Sequence, residues 1–209
     1  MTLTLSMGTD CTPRPDCVPF VDRWATWCSV RNGATLAMLP ITSDYMQQTL
    51  DAKSRNMVRK ASKHYYYHKF SYNNRLIDIY DMNTSTPHRQ GKAMTAAYTT
   101  KPKPTSEWDL CGLRHRHIFL GGFNSEGRLR AYCNLAVVGD IAIINQILGH
   151  VDDLGDGIMN GLIHYIVDFL CKWTRVTHLN YLDLVSCSVG LARFKCSVGF
   201  EPNEVYFDI

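Results

Sequence analysis

Three stretches rich in apolar residues follow one another in the second half of the chain and predict an antiparallel meander. They are RHIFLGGFN, LRAYCNLAVV and IAIINQIL, joined by SEGR and by the pair Gly139-Asp140. A Gly-Asp pair between two apolar runs is typical of a two-residue hairpin turn, because glycine readily adopts the positive φ that such a turn needs. We therefore expect three consecutive antiparallel strands that end just before His150.

Two further segments have helical spacing. Apolar residues after the meander recur every three or four positions and predict one face of a helix. These residues are Ile158, Leu162, Ile166, Phe169 and Trp173. Upstream, the apolar positions from Asp51 to about Tyr66 also follow helical spacing, and the lysines and arginines between them fall on the outer face. We expect an amphipathic helix there.

The remaining segments complete the predicted order of elements. DRWATWCSV and ATLAMLPI predict a strand pair around the turn RNG, and RLIDIYDMN predicts a strand because apolar residues alternate. The segment from residue 84 to 108 predicts a long loop with one short helix near residues 93–98. HLNYLDLVS, VGLARFKCSV and EPNEVYFDI predict a strand, a helix and a strand. From Arg114 onward the order is β, β, β, α, β, α, β, which indicates an α+β protein.

Length and composition indicate one large globular domain. The 209 residues are 45% hydrophobic, enough for a sizeable core. Residues 1–20 hold three of the eight prolines, so we expect an irregular lead-in there and a single domain over residues 21–209. No apolar run approaches the roughly 18 to 20 residues that span a bilayer, which predicts a cytoplasmic protein with no membrane partner. The eight cysteines are scattered and predict buried free thiols rather than disulfides.

Positive charge is unevenly distributed although the net charge is only +3. Arg55, Arg59 and Lys60 crowd the first predicted helix, and the segment RKASKHYYYHKFSYNNR interleaves basic and aromatic residues. This combination suits a nucleic-acid partner, either DNA or tRNA, because cations bind phosphates and rings stack on bases. The alternative is a solvated helix face whose end packs through its tyrosines.

The long loop holds a second set of candidate binding residues. Arg89 and Gln90 lie in TPHRQGKAM before the short helix, and Tyr98 lies at the end of that helix. Arginine and glutamine there can bind a carboxylate, a phosphate or a base edge. We therefore expect these three residues to contribute to binding of the acceptor or of nucleic acid.

The order of elements, ending in GLARFKCSVGF, resembles the GNAT superfamily of acyltransferases. The GL..FK element before a Gly-Phe pair is similar to the Fem-type aminoacyltransferase branch of that fold, and the resemblance covers roughly residues 50 to 209. It implies a mixed, mostly antiparallel sheet flanked by helices. It also implies that RLRAYCNLAVV and IAIINQIL separate from YLDLVS, and that an acyl donor lies in the V between them.

The resemblance also implies roles for residues around the end of the third meander strand. Acyl transfer to an amine requires a polarised donor carbonyl and a route for the amine proton. The backbone N–H of Ile147 or Leu148 is expected to polarise the carbonyl. His150 is expected to face the V. The base is expected to be His150 or one of Asp152, Asp153 and Asp156, and His150 and Asp152 are the preferred candidates.

The junction GHVDDLGDGIM differs from the glycine-rich pyrophosphate loop of acetyl-CoA enzymes with this fold, because three aspartates there would repel a pyrophosphate. Gly155 and Gly157 are nevertheless expected to contact the donor, and Asp156 has the position of a helix N-cap. On the last helix, Lys195 stands where the resemblance implies a tyrosine acid. Lys195 is therefore a candidate proton donor, and the alternative is a surface lysine.

Three hypotheses for function follow. The first is an acyl or aminoacyl transferase that moves an acyl group from a thioester or ester donor, either acyl-CoA or aminoacyl-tRNA, to an amine. The second is a nucleic-acid-modifying enzyme that resembles the phage Mom-type proteins and alters DNA adenine. The third is a catalytically silent GNAT-like binding module. We predict no metal site, because Cys11 and Cys17 lack the partner pair of a zinc ribbon.

Overall fold

The computed structural model of the chain describes residues 1–7, 18–105, 115–172 and 176–208. Cys11, Cys17, Cys111, Arg114 and Trp173 lie outside the described residues. The strands are β1 (Thr2–Ser6), β2 (Ala34–Pro40), β3 (Tyr65–Lys69), β4 (His88–Arg89), β5 (Lys92–Ala93), β6 (His115–Asn124), β7 (Leu129–Val138), β8 (Ile141–Gly149), β9 (His178–Asn180) and β10 (Glu201–Asp208). The helices are α1 (Val18–Val30), α2 (Tyr45–Gln48), α3 (Ala52–Ala61), α4 (Leu76–Thr84), α5 (Ala96–Thr99), α6 (Ile158–Cys171) and α7 (Val189–Ser197), with 3₁₀ helices at Tyr72–Arg75 and Val151–Asp156.

One mixed sheet organises the described part of the chain, in the order β1-β10-β2-β9-β8-β7-β6-β3. Its pairs are antiparallel except for β1 with β10 and β8 with β9, which are parallel. The predicted α+β class, a mostly antiparallel sheet flanked by helices, is confirmed. The small β4–β5 hairpin stands apart from this sheet.

Helices cover both faces of the sheet, and the alternation of side chains along the central strands explains why. On β7, Cys133 and Leu135 belong to the apolar cluster beneath α3 and α6. Between them in sequence, Asn134 points to the other face, where Ala136 joins the α1 cluster and Tyr132 joins the α4 cluster. Since successive residues of a strand face opposite sides, a strand that is apolar throughout must be covered twice.

The predicted meander is confirmed as β6, β7 and β8. The helix predicted after the meander is α6, and the last predicted helix and strand are α7 and β10. The basic helix is α3, but it ends at Ala61, and Tyr65–Lys69 forms strand β3. Alternation along β3 buries Tyr65 and exposes Tyr66.

Two predicted strands are helices instead. The segment before the RNG turn is α1, since Trp24 and Cys28, four residues apart, are both buried. RLIDIYDMN lies in α4. Alternation would place Ile77 and Ile79 on one face, but Ile77 is 86% exposed while Ile79 and Met82, three residues apart, are fully buried. Short apolar runs fit both periods, and tertiary packing decides between them.

The irregular lead-in predicted for residues 1–20 is wrong for Thr2–Ser6, which pairs in parallel with β10. The alternation TLTLS already carries a strand pattern, and Leu5 is buried. Near the other end, the strand predicted from HLNYLDLVS is short, because only His178–Asn180 pairs with neighbouring strands. No helix among the described residues is long and apolar enough to cross a bilayer.

Five cysteines are described, at positions 28, 133, 171, 187 and 196, and all five are free thiols. Cys28 and Cys133 are fully buried, which agrees with the prediction for these two. Burial raises the pKa of the Cys28 thiol to about 12. These two side chains therefore act as small apolar core residues.

Candidate active site

The sheet opens between β8 and β9. The two strands pair in parallel only from Ile141 to Ile143. The register of β8 against β7 then shifts and leaves Asn145 as an extra residue, a β-bulge. A bulge bends its strand. β8 continues to Gly149 and, among the described strands, pairs there only with β7. β8 and β9 therefore form the V that the resemblance implies.

The bulge also changes which side chains point to which face. Before it, the even-numbered residues Ala142 and Ile144 pack in the α3–α6 cluster. After it, Ile147 packs against that cluster, whereas Leu148 joins the α4 cluster on the opposite face. One inserted residue has exchanged the two faces of the strand, as expected for a period of two.

The backbone of β8 presents N–H groups to the opening. The N–H of His150 donates to the Arg130 carbonyl at 2.8 Å, on the β7 side. Because backbone groups alternate in direction along a strand, Leu148 also faces β7, whereas Ile147 and Gly149 face the V. Of the two residues predicted to polarise a donor carbonyl, Ile147 has the appropriate direction.

A cavity of about 410 Å³ occupies the V. We name it the donor cleft. The end of β8 forms one wall, with Ile147 and Leu148, and Tyr181 with Phe194 of α7 forms the wall opposite. Met159 at the start of α6 and residues of the β4–β5 hairpin close the remaining sides. The lining is largely apolar, as is usual for small-molecule sites.

Tyr181 is a functional candidate that the sequence analysis missed. It directly follows Asn180, the last residue of β9, and lines the donor cleft. Burial raises the pKa of Tyr181 well above its usual value, and the neighbouring Cys133, Cys187 and Tyr98 add to the rise. The hydroxyl therefore stays protonated at neutral pH. The signal available in the sequence was a tyrosine within HLNYLDLVS, the strand predicted to border the V.

Lys195, the predicted proton donor, lies behind Tyr181 and is not among the residues that line the cleft. It is 1% exposed, so it is not a surface lysine either. Its Nζ donates to the carbonyls of Tyr181 at 2.7 Å and Asp183 at 2.5 Å. The ammonium also lies 4.4 Å from the centre of the Tyr181 ring. Burial lowers the pKa of Lys195. The contacts indicate that Lys195 positions Tyr181.

Arg89 and Gln90 reach the donor cleft from the β4–β5 hairpin. Gln90 and Gly91 form its two-residue turn, with φ of 54° and 76°. Arg89 donates to the Met82 carbonyl and to Ser85 Oγ, both at 3.0 Å, while its buried Nε has no hydrogen-bond partner. No carboxylate of the described residues pairs with Arg89. Arg89 therefore places a cation without a described carboxylate partner at the cleft, which is suited to an anion.

His150 and Asp152 lie outside the donor cleft lining. His150 Nδ1 accepts hydrogen bonds from Arg130 at 2.8 Å and from the Asp152 N–H at 3.3 Å, and Nε2 lies 3.7 Å from Asp81 Oδ2. The Asp152 side chain is 76% exposed. The expectation that His150 faces the V is wrong, because the bulge turns residue 150 to the α4 face. A catalytic role for either residue stays a prediction.

The acidic junction is largely neutralised. It folds as the 3₁₀ helix Val151–Asp156. Asp153 lies 2.6 Å from Arg130 Nη2 and accepts from the Tyr65 hydroxyl, also at 2.6 Å. Asp156 lies 2.9 Å from Lys60 Nζ, whose hydrogen bond holds the pKa of that carboxyl below its usual value. The predicted repulsion of a pyrophosphate is therefore weaker than three free aspartates would exert.

Backbone conformation and packing explain why residue 157 is a glycine, without any contact to a donor. It is the N-cap residue of α6, with φ of 77°, so the prediction of Asp156 as the cap is wrong. A Cβ there would lie 2.6 Å from the Met57 carbonyl oxygen of α3. Gly157 thus allows α3 to approach the start of α6. A Cβ on Gly155 would meet nothing within 4 Å, and a donor contact by either glycine stays a prediction.

The basic residues of α3 already bond within the protein. Arg55 donates to the Leu50 carbonyl at 2.5 Å, Arg59 donates to Asn56 at 3.1 Å, and Lys60 binds both Asp156 and the Gly155 carbonyl. A nucleic-acid partner for this helix remains a prediction. Among the described residues, no group of three or more histidine, cysteine or acidic side chains could hold a metal ion.

Tyr98 lies on the other side of β8, in a second cavity of about 620 Å³ with Tyr132, Asn145 and Gln146. Burial lowers the pKa of Arg89, and the nearby Tyr132 and Tyr98 partly oppose that change. Tyr98 also adds to the rise in the pKa of Tyr181. Tyr98 lines this second cavity and is not among the residues that line the donor cleft. The structure brings together Ile147, Leu148, Arg89 and Gln90 at the donor cleft.

Comparison with solved structures identifies the architecture. FemX superposes with a TM-score of 0.60 at 11% identity, over 81% of this chain and 59% of FemX. The fold of this chain is similar to that of FemX. A conserved protein from Bacteroides thetaiotaomicron superposes with a TM-score of 0.53 at 12% identity, over 80% of this chain and 56% of that chain.

The C-terminal domain of an Agrobacterium fabrum protein assigned as a lysylphosphatidylglycerol synthetase gives a TM-score of 0.50 at 14% identity, over 80% of this chain and 57% of that one. This chain thus spans less than two thirds of the length of each of these structures. No protein-family model and no curated protein sequence matches it. At these identities the likeness concerns the fold.

Proposed function

We propose that this chain transfers an acyl or aminoacyl group from an ester or thioester donor to an amine. The observation that carries the proposal is the unpaired edge of β8 beyond Ile143, which presents backbone N–H groups to the donor cleft. Fixed N–H groups in a cleft of low polarity stabilise a developing oxyanion. The fold shared with FemX supports the same class of reaction.

In this mechanism the donor carbonyl oxygen accepts a hydrogen bond from the Ile147 N–H. A neutral amine attacks the carbonyl carbon, so that a C–N bond forms and the C–O or C–S bond to the leaving group breaks. The ammonium of the intermediate releases its proton to water. The Tyr181 hydroxyl gives a proton to the leaving oxygen or sulfur and regains one from water. Because burial raises the pKa of Tyr181, its hydroxyl still carries this proton when the reaction begins.

Arg89 holds an anionic part of the donor, since this cation lines the cleft and no described carboxylate pairs with it. Both aminoacyl-tRNA and acyl-CoA carry phosphates. We favour aminoacyl-tRNA, because the junction before α6 is a 3₁₀ helix with aspartates rather than a glycine-rich loop. The close approach of Met57 to Gly157 further restricts the space at the start of α6.

Binding measurements test this proposal. Acetyl-CoA and charged tRNA are titrated against the wild type, Arg89→Gln and the control Lys92→Gln, which removes one charge from the same hairpin outside the cleft. We expect one donor to raise the melting temperature, because a ligand of the folded state stabilises it. We expect Arg89→Gln to weaken that binding about tenfold or more, and the control to match the wild type. Failure of both donors to bind contradicts the proposal.

DNA adenine modification and a silent binding module remain alternatives from the sequence. No contact among the described residues favours either over transfer to an amine. Mass analysis of DNA from cells that express the protein would detect a modified adenine. A modified base there, together with no binding of either donor, would replace the function proposed above.

A further inference from the structure

A polar band crosses the sheet face opposite α6. On this face the α1 cluster and the α4 cluster are separate. Between them lie His117 of β6 and Asn134 of β7, which hydrogen-bond each other, and the bulge residue Asn145 of β8. Polar side chains on central strands are costly to bury unless they are bonded or solvated. His117 and Asn134 are bonded to each other, and Asn145 is exposed to solvent.

Two cavities open over this band. One, of about 620 Å³, is lined by Tyr98, Gln146 and Asn145, and the other, of about 310 Å³, is lined by His117, Asn134 and Asn145. Because they share Asn145, we treat them as one site and name it the polar groove. It is larger and more polar in lining than the donor cleft on the other side of β8.

The charge around the polar groove is positive. Lys101 and Lys103 line one end, and Arg23 lines the other. No aspartate or glutamate occurs among the described lining residues, and neither lysine has an ion-pair partner in the described part of the chain. Cations without neutralising carboxylates attract an anionic ligand.

The segment that carries the lysines is held in place. The Asn73 side-chain amide donates to the Thr105 carbonyl at 2.9 Å, and the Thr105 N–H donates to Asn73 Oδ1 at 2.8 Å. This two-bond contact ties Thr105, two residues after Lys103, to the 3₁₀ helix Tyr72–Arg75. The lysines are thus presented over the groove on a positioned backbone, which lowers the entropic cost of binding.

The polar groove meets the donor cleft at β8. Gln146 lines the groove and Ile147, the next residue, lines the cleft. Adjacent residues of a strand face opposite sides. Tyr98, in the groove, is close enough to Tyr181, in the cleft, to add to the rise of its pKa. A ligand in the groove therefore approaches the position of the donor carbonyl from the other face of the sheet.

We propose that the polar groove binds the acceptor and selects an amine that also carries a carboxylate or a phosphate, with Lys101 and Lys103 holding the anion. The amine end then points toward the bulge at Asn145. The assignment of this ligand as the acceptor rests on the transferase function proposed above. The binding of an anionic amine in the groove does not depend on that function.

Calorimetric titration with three probes tests the selection. O-phosphoethanolamine and β-alanine are amines with a phosphate and a carboxylate, and ethanolamine is the matched amine without an anion. The proteins are the wild type, Lys101→Gln/Lys103→Gln and the control Lys63→Gln/Lys92→Gln. The control removes the same two charges from exposed positions outside both cavities. Thermal melts establish that all three proteins are folded.

We expect at least one anionic probe to bind the wild type ten times more tightly than ethanolamine. We expect the Lys101/Lys103 variant to lose about tenfold in affinity for that probe, and the control to keep it. The stronger of the two anionic probes identifies the anion as phosphate or carboxylate. Equal binding of ethanolamine, no binding of either anionic probe, or an equal loss in the control would overturn the proposal.

The two proposals fail separately. If anionic amines bind in the groove but neither donor binds in the cleft, the groove remains a binding site and the transferase function falls. If a donor binds in an Arg89-dependent way but the anionic amines do not bind, the acceptor class is wrong and the transferase function stands.

Discussion

Strand β8 differs between its two halves. From Ile141 to Ile143 it pairs with β7 on one side and β9 on the other, and these residues are fully buried. From Ile147 to Gly149 it pairs with β7, and its other edge borders the donor cleft. The same strand is therefore core in its first half and a binding surface in its second.

This difference arises from one residue. The bulge at Asn145 lies directly between the two halves. It lies two residues after the last residue that pairs with β9 and re-aims the backbone N–H groups, while the ladder with β7 continues to Gly149. A binding edge on a strand anchored on one side is more precisely placed than one on a loop. Substitutions in the first half should therefore affect stability, and those in the second half should affect chemistry.

The largest expected effect compares the same substitution in both halves. Ile143 is 0% exposed, so Ile143→Ala should lower the free energy of unfolding by about 2 to 5 kcal/mol. Ile147 is partly exposed at the cleft, and Ile147→Ala should cost less than half as much. Urea denaturation measures both. Equal losses would mean that the open half is as much a part of the core as the paired half.

The next effect concerns turnover. Tyr181→Phe should reduce turnover about a hundredfold, the scale of a lost general acid, and leave the melting temperature nearly unchanged. Because the pKa of Tyr181 is raised from its usual 10.0, the hydroxyl keeps its proton throughout the neutral range. Wild-type turnover that depends on this proton should persist through pH 9 and fall only above about pH 10. A variant with full turnover would exclude Tyr181 as the acid.

Substitutions of the two glycines at the acidic junction distinguish a role in packing from a role in donor binding. Gly157→Ala should lower stability by about 1 to 3 kcal/mol, because its φ is 77° and a Cβ would contact the Met57 carbonyl. Gly155→Ala, the control, should stay within about 0.5 kcal/mol of the wild type. Thermal and urea unfolding measure both. If Gly155→Ala weakens donor binding without a loss of stability, the sequence-based prediction of a donor contact is supported for that residue.

His150 distinguishes a positioning role from a catalytic one. The sequence alone predicts that His150→Ala and Asp152→Asn reduce turnover about a hundredfold with an unchanged melting temperature. The contact with Arg130 instead predicts that His150→Ala costs about 1 kcal/mol of stability and changes turnover less than tenfold. Parallel melting and kinetic measurements decide. A large loss of turnover with unchanged stability would support a catalytic role for His150.

The smallest expected effect concerns the basic helix. Replacing Arg55, Arg59 and Lys60 together by alanine should lower the salt dependence of tRNA binding by about one unit rather than the nearly three expected for three phosphate contacts. Two of these cations already bind Leu50 and Asp156 inside the protein. Titrations at several salt concentrations give the slope. An unchanged slope would remove α3 from any nucleic-acid interface.

Strongly periodic segments were predictable from the sequence, and ambiguous ones were not. The meander and α6 combine length with clear periodicity. α4 does not, since RLIDIYDMN alternates in hydrophobicity while its buried residues, Ile79 and Met82, are three positions apart. Only packing against Tyr132 and its neighbours selects the helix. Local pattern is a weak guide where two periods fit one short run.

The candidate site was also only partly predictable from local sequence pattern. The strand end and the polar loop predict Ile147 as a donor-binding residue and Arg89 and Gln90 as residues that bind the acceptor or nucleic acid. All three line the donor cleft, and their roles stay predictions. His150 was expected to face the V because it directly follows the strand, but the extra residue at Asn145 turns it to the other face. Nothing in IAIINQILG specifies which residue a bulge will leave unpaired. Tyr181 was missed since the end of β9 depends on tertiary contacts, notably the hydrogen bonds of Asn180 to Ala37 and Leu182.

The parallel pairing of β1 with β10 has a consequence for synthesis of the chain. Thr2 lies opposite Glu204, and their side chains, 202 positions apart, are hydrogen-bonded. At roughly 5 to 20 residues per second, translation leaves the first strand without its partner for about 10 to 40 seconds. During that interval TLTLS is an exposed strand edge that can pair with other nascent chains. We expect newly made protein to depend on chaperones until its last strand emerges.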